Sequence, residues 1–317
     1  MAGAWADNVL RVCMGLGPGE RFVALVDEPL RDAGAALCAA AESLGGRAVS
    51  HLVPPDTARL TLVPDSFLRQ VATADVVVAL LSRLDLGQEH VFLRAGMAAF
   101  RSAGKGRWAT GAFIDEDVLA RELNADYRQV AELTARWAER MARADRVRIV
   151  TARGTDLTFR LGGRPVHQDT GQLTAPGAIG NLPAGEAYVA PLEDSASGTL
   201  AVDLSVGDIL LSEPVRLTFR SGRAVSLSGG PEAQLLERRL GDDPHAWTLG
   251  EFGVGTNPAG RIRGHAATDE KVLGTVHIAL GGNLSFGGAN PAGTHYDCVI
   301  GAPRIYLDDV LVEGSSM

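Results

Sequence analysis

The chain has 317 residues, of which 46% are hydrophobic and 21% charged, and its formal net charge is −8. This composition is that of a folded globular protein large enough for two domains, so it excludes a disordered chain. The negative charge and the lack of a Lys/Arg-rich run exclude an electrostatic nucleic-acid binder. No apolar run has the length of a membrane span, and the N-terminus lacks the pattern of a signal peptide. We therefore expect a cytoplasmic protein with neither nucleic-acid nor membrane partners.

The first half of the sequence alternates strand-like and helix-like segments. Strands are predicted at 21–27, 47–53, 75–81 and 107–114, and helices at 30–44, 66–72, 90–102 and 117–144. This alternation predicts an α/β domain of Rossmann-like type, with a parallel sheet covered by helices. The first strand is followed by Asp27, Glu28 and Pro29 and not by a Gly-x-Gly-x-x-Gly turn, so no dinucleotide site is expected.

The pattern changes near Arg146, where short strands separated by Gly, Pro and Asp turns begin. Strands are predicted at 146–152, 156–161, 187–190, 198–203, 215–220, 223–228, 271–280 and 296–300, with one helix at 232–240. We therefore predict two domains: an α/β domain over residues 1–145, and a β-rich α+β domain over residues 146–317 that binds metal.

The second half also contains a set of carboxylates and imidazoles, each placed beside Gly or Pro in a strand-and-turn context. The set consists of Glu186, Glu251, His277, His295 and Asp297. On a strand, His295 and Asp297 at positions i and i+2 point to the same face and can reach one cation. Such ligands suit zinc, cobalt, manganese or iron. Structural roles are open alternatives to metal binding: His277 could be a hydrogen-bonded residue of the core, and Glu251 could cap a turn.

The amino-acid sequence resembles that of the aminopeptidase T family of thermophilic metalloaminopeptidases in four segments, at 181–186, 250–258, 269–281 and 295–297. The similarity extends to the short bacterial branch often labelled leucyl aminopeptidase. It implies one or two divalent metal ions per chain (zinc, cobalt or manganese), bound by the five residues of the set, with Glu186 or Glu251 as the catalytic base. It also implies a peptide or small-molecule substrate and a homodimer. This chain departs from the family pattern in two ways. It has no Tyr in residues 281–286, where the peptidases carry one that would stabilise the oxyanion, and it is shorter than the peptidases.

A second resemblance is to the dihydroxypyridine ring-cleaving dioxygenases, which hold a single iron ion with two His and one Asp. Their His-x-Asp matches His295 and Asp297, and residues 304–309 are also similar. Their other His falls at Glu251. With Glu at that position, we predict a metal-dependent hydrolase of a peptide or other amide bond. The alternatives are an Fe(II) dioxygenase of a small aromatic compound and, because the Tyr is absent, a non-catalytic binding protein.

Other polar residues are weaker candidates for the site. His245 and His265 lie in predicted loops, where they are either substrate contacts or exposed side chains, and Asn257 and Asn283 are possible hydrogen-bond donors to substrate. A further cluster, formed by Asp85, Glu89 and His90, lies at a predicted strand end of the first domain, where open α/β sheets bind ligands.

Replacing Asp297 with Ala should abolish metal binding, because it removes an anionic ligand and leaves the cation unneutralised. His295→Ala should do the same, whereas His245→Ala should leave the metal content of the purified protein unchanged. In the wild type, metal binding should weaken as the pH falls through the imidazole range, since protons compete for the ligands. Binding by Asp297→Ala with wild-type affinity would show that the metal site is wrong.

Overall fold

The computed structural model describes residues 3–54, 63–83 and 91–312. The α-helices of this part of the chain are α1 (Ala4–Asn8), α2 (Arg31–Ser43), α3 (Asp65–Ala72), α4 (Val91–Ala103), α5 (Tyr127–Arg143), α6 (Pro231–Leu240) and α7 (Ala266–Asp269). Its strands are β1 (Arg21–Val26), β2 (Arg47–Leu52), β3 (Val76–Leu80), β4 (Arg107–Gly111), β5 (Arg146–Val150), β6 (Asp156–Arg160), β7 (His167–Asp169), β8 (Ile179–Asn181), β9 (Glu186–Val189), β10 (Ser197–Val202), β11 (Ser205–Val206), β12 (Ile209–Leu210), β13 (Val215–Arg220), β14 (Arg223–Ser228), β15 (Leu249–Gly255), β16 (Val276–Gly281), β17 (His295–Ile300), β18 (Arg304–Leu307) and β19 (Val310–Leu311). No helix within these described ranges has the length and apolar character needed to cross a membrane.

These residues form two compact units, and the chain passes between them three times. The first unit comprises Met1–Arg128 and Thr170–Ala184, and the second comprises Gln129–Asp169 and Gly185–Met317. This division differs from the single boundary that we predicted between residues 145 and 146. The predicted cluster of Asp85, Glu89 and His90 lies outside the described residues.

The first unit contains a five-stranded parallel sheet in the order β2-β1-β3-β4-β8. Every residue of β3 is buried, as expected for a strand covered on both faces, and β1 is buried except for its first residue. The α/β prediction for this region is therefore confirmed. Strand β8 was not predicted. It pairs with β4, and this pairing explains why the segment Thr170–Ala184 belongs to the first unit.

The second unit contains two antiparallel seven-stranded sheets that share one hydrophobic core. Their orders are β14-β13-β10-β6-β5-β18-β19 and β12-β11-β17-β16-β15-β9-β7, and the rings of Phe159 and Phe252 meet edge to face in the core at 5.2 Å. Helix α5 adds Trp137 and Met141 to the same core. A helix that we assigned to the first domain is thus mostly part of the second, while the β-rich character of the second domain is confirmed.

In the sheet that contains β7, side chains of the central strands alternate between the core and the opposite face, apart from a register shift between Leu249 and Glu251 in β15. The core receives Ala187 and Val189 from β9, Phe252 and Val254 from β15, Val276, Ile278 and Leu280 from β16, and Tyr296, Cys298 and Ile300 from β17. Because successive side chains of a strand point to opposite faces, the residues between them lie on the other side of the sheet. All five residues of the predicted metal set are among these.

Candidate metal centre

The five predicted metal ligands lie on one face of four neighbouring strands, which we call the donor face. Two of them, Asp297 and Glu251, are both paired across the sheet with Ala279, so they flank this residue on the same face. His277 is paired with Gly253, and Glu186 with Gly255. The pairing of β17, β16, β15 and β9 thus brings together residues that are more than 100 positions apart in the sequence.

The donor atoms converge on the carboxylate of Glu251. Nε2 of His277 lies 3.0 Å from Glu251 and 3.3 Å from Glu186. Nε2 of His295 lies 3.3 Å from Asp297 and 3.4 Å from the other oxygen of Glu251. One ligand atom each from Glu251, His277 and Asp297 can be found within 4.8 Å of one another, a spacing compatible with a shared metal ion.

Backbone contacts orient the imidazole of His295 towards this cluster. Its Nδ1 donates a hydrogen bond to the carbonyl oxygen of Gly282 over 2.8 Å. In the neutral ring, this leaves the lone pair on Nε2, the atom that faces Glu251 and Asp297. Nδ1 of the fully buried His277 has no hydrogen-bond partner in the described part of the chain. Both imidazoles therefore offer Nε2 to the donor face.

A glycine makes room for the imidazole of His277. A Cβ atom at Gly253 would lie 2.1 Å from Cε1 and Nε2 of His277, far inside van der Waals contact. The ring therefore lies directly over the backbone of β15, where any other residue would displace it. Glycine is therefore required two residues after Glu251 to leave room for the ring of His277, a requirement that the sequence alone did not reveal.

A second, adjoining group of residues was missed by the sequence analysis. Nζ of Lys271 donates to Glu186 over 2.5 Å and lies 2.9 Å from Glu270 and 3.5 Å from Asp169. Lys271 is only 1% exposed, and a buried ammonium requires such partners. Glu186, Glu270 and His277 form a further set of ligand atoms within 4.8 Å of one another. The available signal was the triplet from Asp269 to Lys271, which we had noted only as part of the resemblance.

The donor face carries an excess of negative charge. Together with the adjoining group around Lys271, it contains the carboxylates of Asp169, Glu186, Glu251, Glu270 and Asp297, and the permanent cation named among these described contacts is Lys271. Burial, together with the charges of Asp297 and Glu186, raises the pKa of Glu270 to about 8. Burial disfavours the protonated imidazole of His277, but the hydrogen bond with Glu251 and the charge of Glu186 prevail and raise its pKa to about 9. The cluster therefore attracts cations, whether protons or metal ions.

Aromatic rings lie beside the donor face. The rings of Tyr188 and Phe286 meet edge to face at 5.6 Å, and Phe286 lies 6.0 Å from the ring of His295. His167 stacks on Tyr188 at 5.2 Å. Burial and the carboxylates of Glu186 and Glu251 raise the pKa of Tyr188, so its phenol stays protonated.

The loop that carries Phe286, residues 282–291, is fixed by buried amides. Asn283 donates to Glu193 over 3.0 Å and to Gly250 over 3.2 Å, and its oxygen accepts from the backbone N–H of Asn290 over 2.8 Å. The amide of Asn290 donates to the carbonyl oxygens of His245 and Gly281.

These contacts change the interpretation of three of the weaker candidates. Asn283 and His245 hold this loop, since Nδ1 of His245 lies 3.0 Å from the side-chain oxygen of Asn290. Asn257 is fully buried and accepts a hydrogen bond from the backbone of Ala259. None of the three is placed as the free substrate contact that we had considered.

Gly253→Ala should weaken metal binding by about ten- to a hundredfold, because the added methyl group forces the imidazole of His277 out of position. Titration of the metal-free protein with Fe(II), Zn(II) or Co(II) measures the effect. Gly293→Ala is the matched control, since a Cβ there meets no atom within 4 Å. Equal metal affinity in Gly253→Ala and the wild type would exclude His277 as a ligand.

Glu193 should stabilise the fold in a pH-dependent manner. Burial disfavours its charge, but Arg164, the N–H of Ala289 and Asn283 outweigh this and lower its pKa from 4.5 to about 2. A depressed carboxyl pKa stabilises the folded state above the unfolded-state value, and this contribution is lost as the pH falls towards 2. Glu193→Gln should therefore lower the free energy of unfolding by about 2 kcal/mol at pH 7.

The difference between the Glu193→Gln variant and the wild type should shrink between about pH 5 and pH 2, as measured by urea denaturation. Replacing the exposed Glu237 with Gln provides the control for loss of a carboxylate. A difference that stays constant down to pH 2 would contradict the assigned role of the Arg164–Glu193 pair.

Comparison with solved structures supports the fold. The chain is similar to the 2,5-dihydroxypyridine dioxygenase of Pseudomonas putida KT2440, with a TM-score of 0.77 and 20% identity, covering 99% of this chain and 96% of that one. It is also similar to AmpT of Thermus thermophilus, with a TM-score of 0.74 and 18% identity, covering 99% and 98%. The resemblance to aminopeptidase T is therefore confirmed at the level of the fold.

Comparison at the level of sequence overturns the predicted hydrolase. A curated relative, the 2,5-dihydroxypyridine 5,6-dioxygenase of P. putida KT2440, is 28% identical over 261 residues, which cover 77% of this chain and 71% of the relative. The prediction of an aminopeptidase-like metallohydrolase was wrong because Glu, His and Asp ligands on a shared fold do not determine the reaction. The family model of 2,5-dihydroxypyridine 5,6-dioxygenase matches residues 2–315, and this chain belongs to that family.

Proposed function

We propose that this protein is a mononuclear Fe(II) dioxygenase that opens the ring of a small hydroxylated aromatic compound, with 2,5-dihydroxypyridine as the candidate substrate. The observation that carries the proposal, given the family of the chain, is the convergence of two imidazole Nε2 atoms on carboxylates of one sheet face. Two His and one carboxylate are the ligands that non-heme iron oxygenases use. The enzyme class thus replaces the hydrolase as the conclusion, while the predicted metal set is kept as a proposal.

The donor set suits an iron ion. We assign His277, His295 and Asp297 as the two-His-one-carboxylate set, with Glu251 between the two imidazoles. The resemblance placed the second His of the dioxygenases at position 251, which is Glu in this chain. In our proposal His277, on the adjacent strand, supplies the second imidazole. The buried Oε2 atoms of Glu186 and Glu270, which lack a hydrogen-bond partner among the described residues, fit a site with a further component.

The residues around the proposed ligands support the chemistry in distinct ways. When bound, iron(II) supplies the activation of dioxygen. Glu251, which lies between the two imidazoles, would accept a proton from a substrate hydroxyl group at its carboxylate. Lys271 holds Glu186 through a hydrogen bond of 2.5 Å and so limits the negative charge next to His277. Burial holds the proton on the Glu270 carboxyl by raising its pKa to about 8, and this reduces the charge further.

With Fe(II), the purified protein should consume oxygen when 2,5-dihydroxypyridine is added, and Zn(II) in place of Fe(II) should abolish the consumption. An oxygen electrode follows the reaction, and mass spectrometry identifies a ring-opened product. His277→Ala and Asp297→Ala should lower kcat/KM at least a hundredfold, because each removes a proposed iron ligand. Glu237→Gln, on the exposed side of α6, should retain wild-type activity.

The absence of oxygen uptake across a panel of dihydroxylated aromatic rings, in protein shown to contain iron, would reject the proposal. A homodimer and a cytoplasmic location, both predicted from the sequence, stay predictions.

A further inference from the structure

The half-buried rings of Tyr188 and Phe286 form an aromatic wall beside the donor face. Phe159 and Phe252 of the same unit, by contrast, lie in its core with at most 1% exposure. Tyr188 and Phe286 instead lie on the side of the sheet that carries the carboxylates and imidazoles. Their exposed ring surface therefore faces the space next to the proposed metal ligands.

Phe286 lies above the middle of the donor face. Its ring contacts His295 on β17 and Tyr188 on β9, at centroid distances of 6.0 and 5.6 Å. Strands β16 and β15, which carry His277 and Glu251, run between β17 and β9. Neighbouring strands are about 4.8 Å apart, so the backbones of β17 and β9 are separated by roughly 14 Å. A ring that contacts both of these side chains must project over the strands between them.

Tyr188 completes the wall from the opposite side. It is paired with Gly253, which is in turn paired with His277, so one row of the sheet reads His277, Gly253, Tyr188. The glycine contributes no side chain to this row. The imidazole of His277 instead lies over this glycine, on the side of its own strand that faces Tyr188, so the wall is next to the proposed ligands.

The wall is held in place before any ligand binds. The carbonyl oxygen of Phe286 accepts a hydrogen bond from Nε2 of His167 over 3.1 Å, and its N–H donates to the carbonyl oxygen of Asn283. His167 also stacks on Tyr188, with an angle of 24° between the two ring planes. A preorganised surface of this kind binds a rigid flat ligand with little loss of conformational entropy in its own side chains.

We propose that Tyr188 and Phe286 bind the ring of a planar monocyclic aromatic substrate while its oxygen substituents reach the donor face. Aromatic rings prefer edge-to-face and offset-stacked contacts, which this pair offers at two different orientations. The inference deepens the proposed function by assigning the residues that select an aromatic ring. It rests on that function only for the choice of 2,5-dihydroxypyridine as the probe.

The test compares two probes on Fe(II)-loaded protein without oxygen. The first probe, 2,5-dihydroxypyridine, has both a ring and chelating oxygens, whereas the second, oxalate, chelates metal but has no ring. In Phe286→Leu and Tyr188→Leu, the Kd for 2,5-dihydroxypyridine should rise about tenfold, because ring contacts are lost. The Kd for oxalate and the iron content should stay at wild-type values.

Two further variants serve as controls. Leu284→Ala changes the same 3₁₀ turn, Leu284–Phe286, at a side chain that is 61% exposed, and should leave both Kd values unchanged. Tyr188→Phe keeps the ring and should restore the binding of 2,5-dihydroxypyridine that Tyr188→Leu loses. In turnover with oxygen, the leucine variants should change KM more than kcat.

Three outcomes would overturn the aromatic wall: wild-type affinity of both leucine variants for 2,5-dihydroxypyridine, an equal loss of oxalate binding, or no binding of 2,5-dihydroxypyridine by the wild type. Failure of the proposed function has a different signature. In that case, oxygen uptake would be absent while the variants still distinguished 2,5-dihydroxypyridine from oxalate.

Discussion

Strand register in the β7-containing sheet is the constraint on which both the core and the donor face depend. Along β16, Val276, Ile278 and Leu280 enter the core while His277 points to the other side. A shift of one residue in any of the central strands would exchange these two sets, placing polar side chains in the core and aliphatic side chains on the donor face. The free energy of burying the apolar set thus also fixes the positions of the polar set, and no separate interaction is needed to align four strands.

The sequence was informative where a physical pattern is local. Apolar runs such as that of β3 predicted the parallel sheet, and the spacing of His295 and Asp297 predicted their common face. It was less informative where a residue's role depends on distant partners. Strand β8 owes its place to pairing with β4. We expected Lys271 in a strand, but it lies in the turn after α7, where it meets carboxylates from two other strands.

The error about the reaction has a related physical origin. A carboxylate–imidazole cluster specifies that a cation is favourable at a given place, and this much could be inferred from Glu251, His277 and Asp297. It does not specify which bond is broken, because the reaction depends on the ion, the substrate and the surrounding surface. In our proposal, that surface includes Tyr188 and Phe286. No sequence motif singles out these two residues. Their proposed role follows only from the loop and the strand that bring their rings together beside the donor face.

The anchoring of loop 282–291 separates two tasks within one short segment. Asn283 and Asn290 connect its ends to Gly250, Gly281 and Glu193, while Leu284 and Phe286 occupy its tip. Substitutions at the tip remove neither of these anchoring amides and none of the proposed metal ligands, which lie on the strands. In our proposal, the ring-binding surface can therefore be changed at Phe286 without altering either the anchors or the proposed metal ligands.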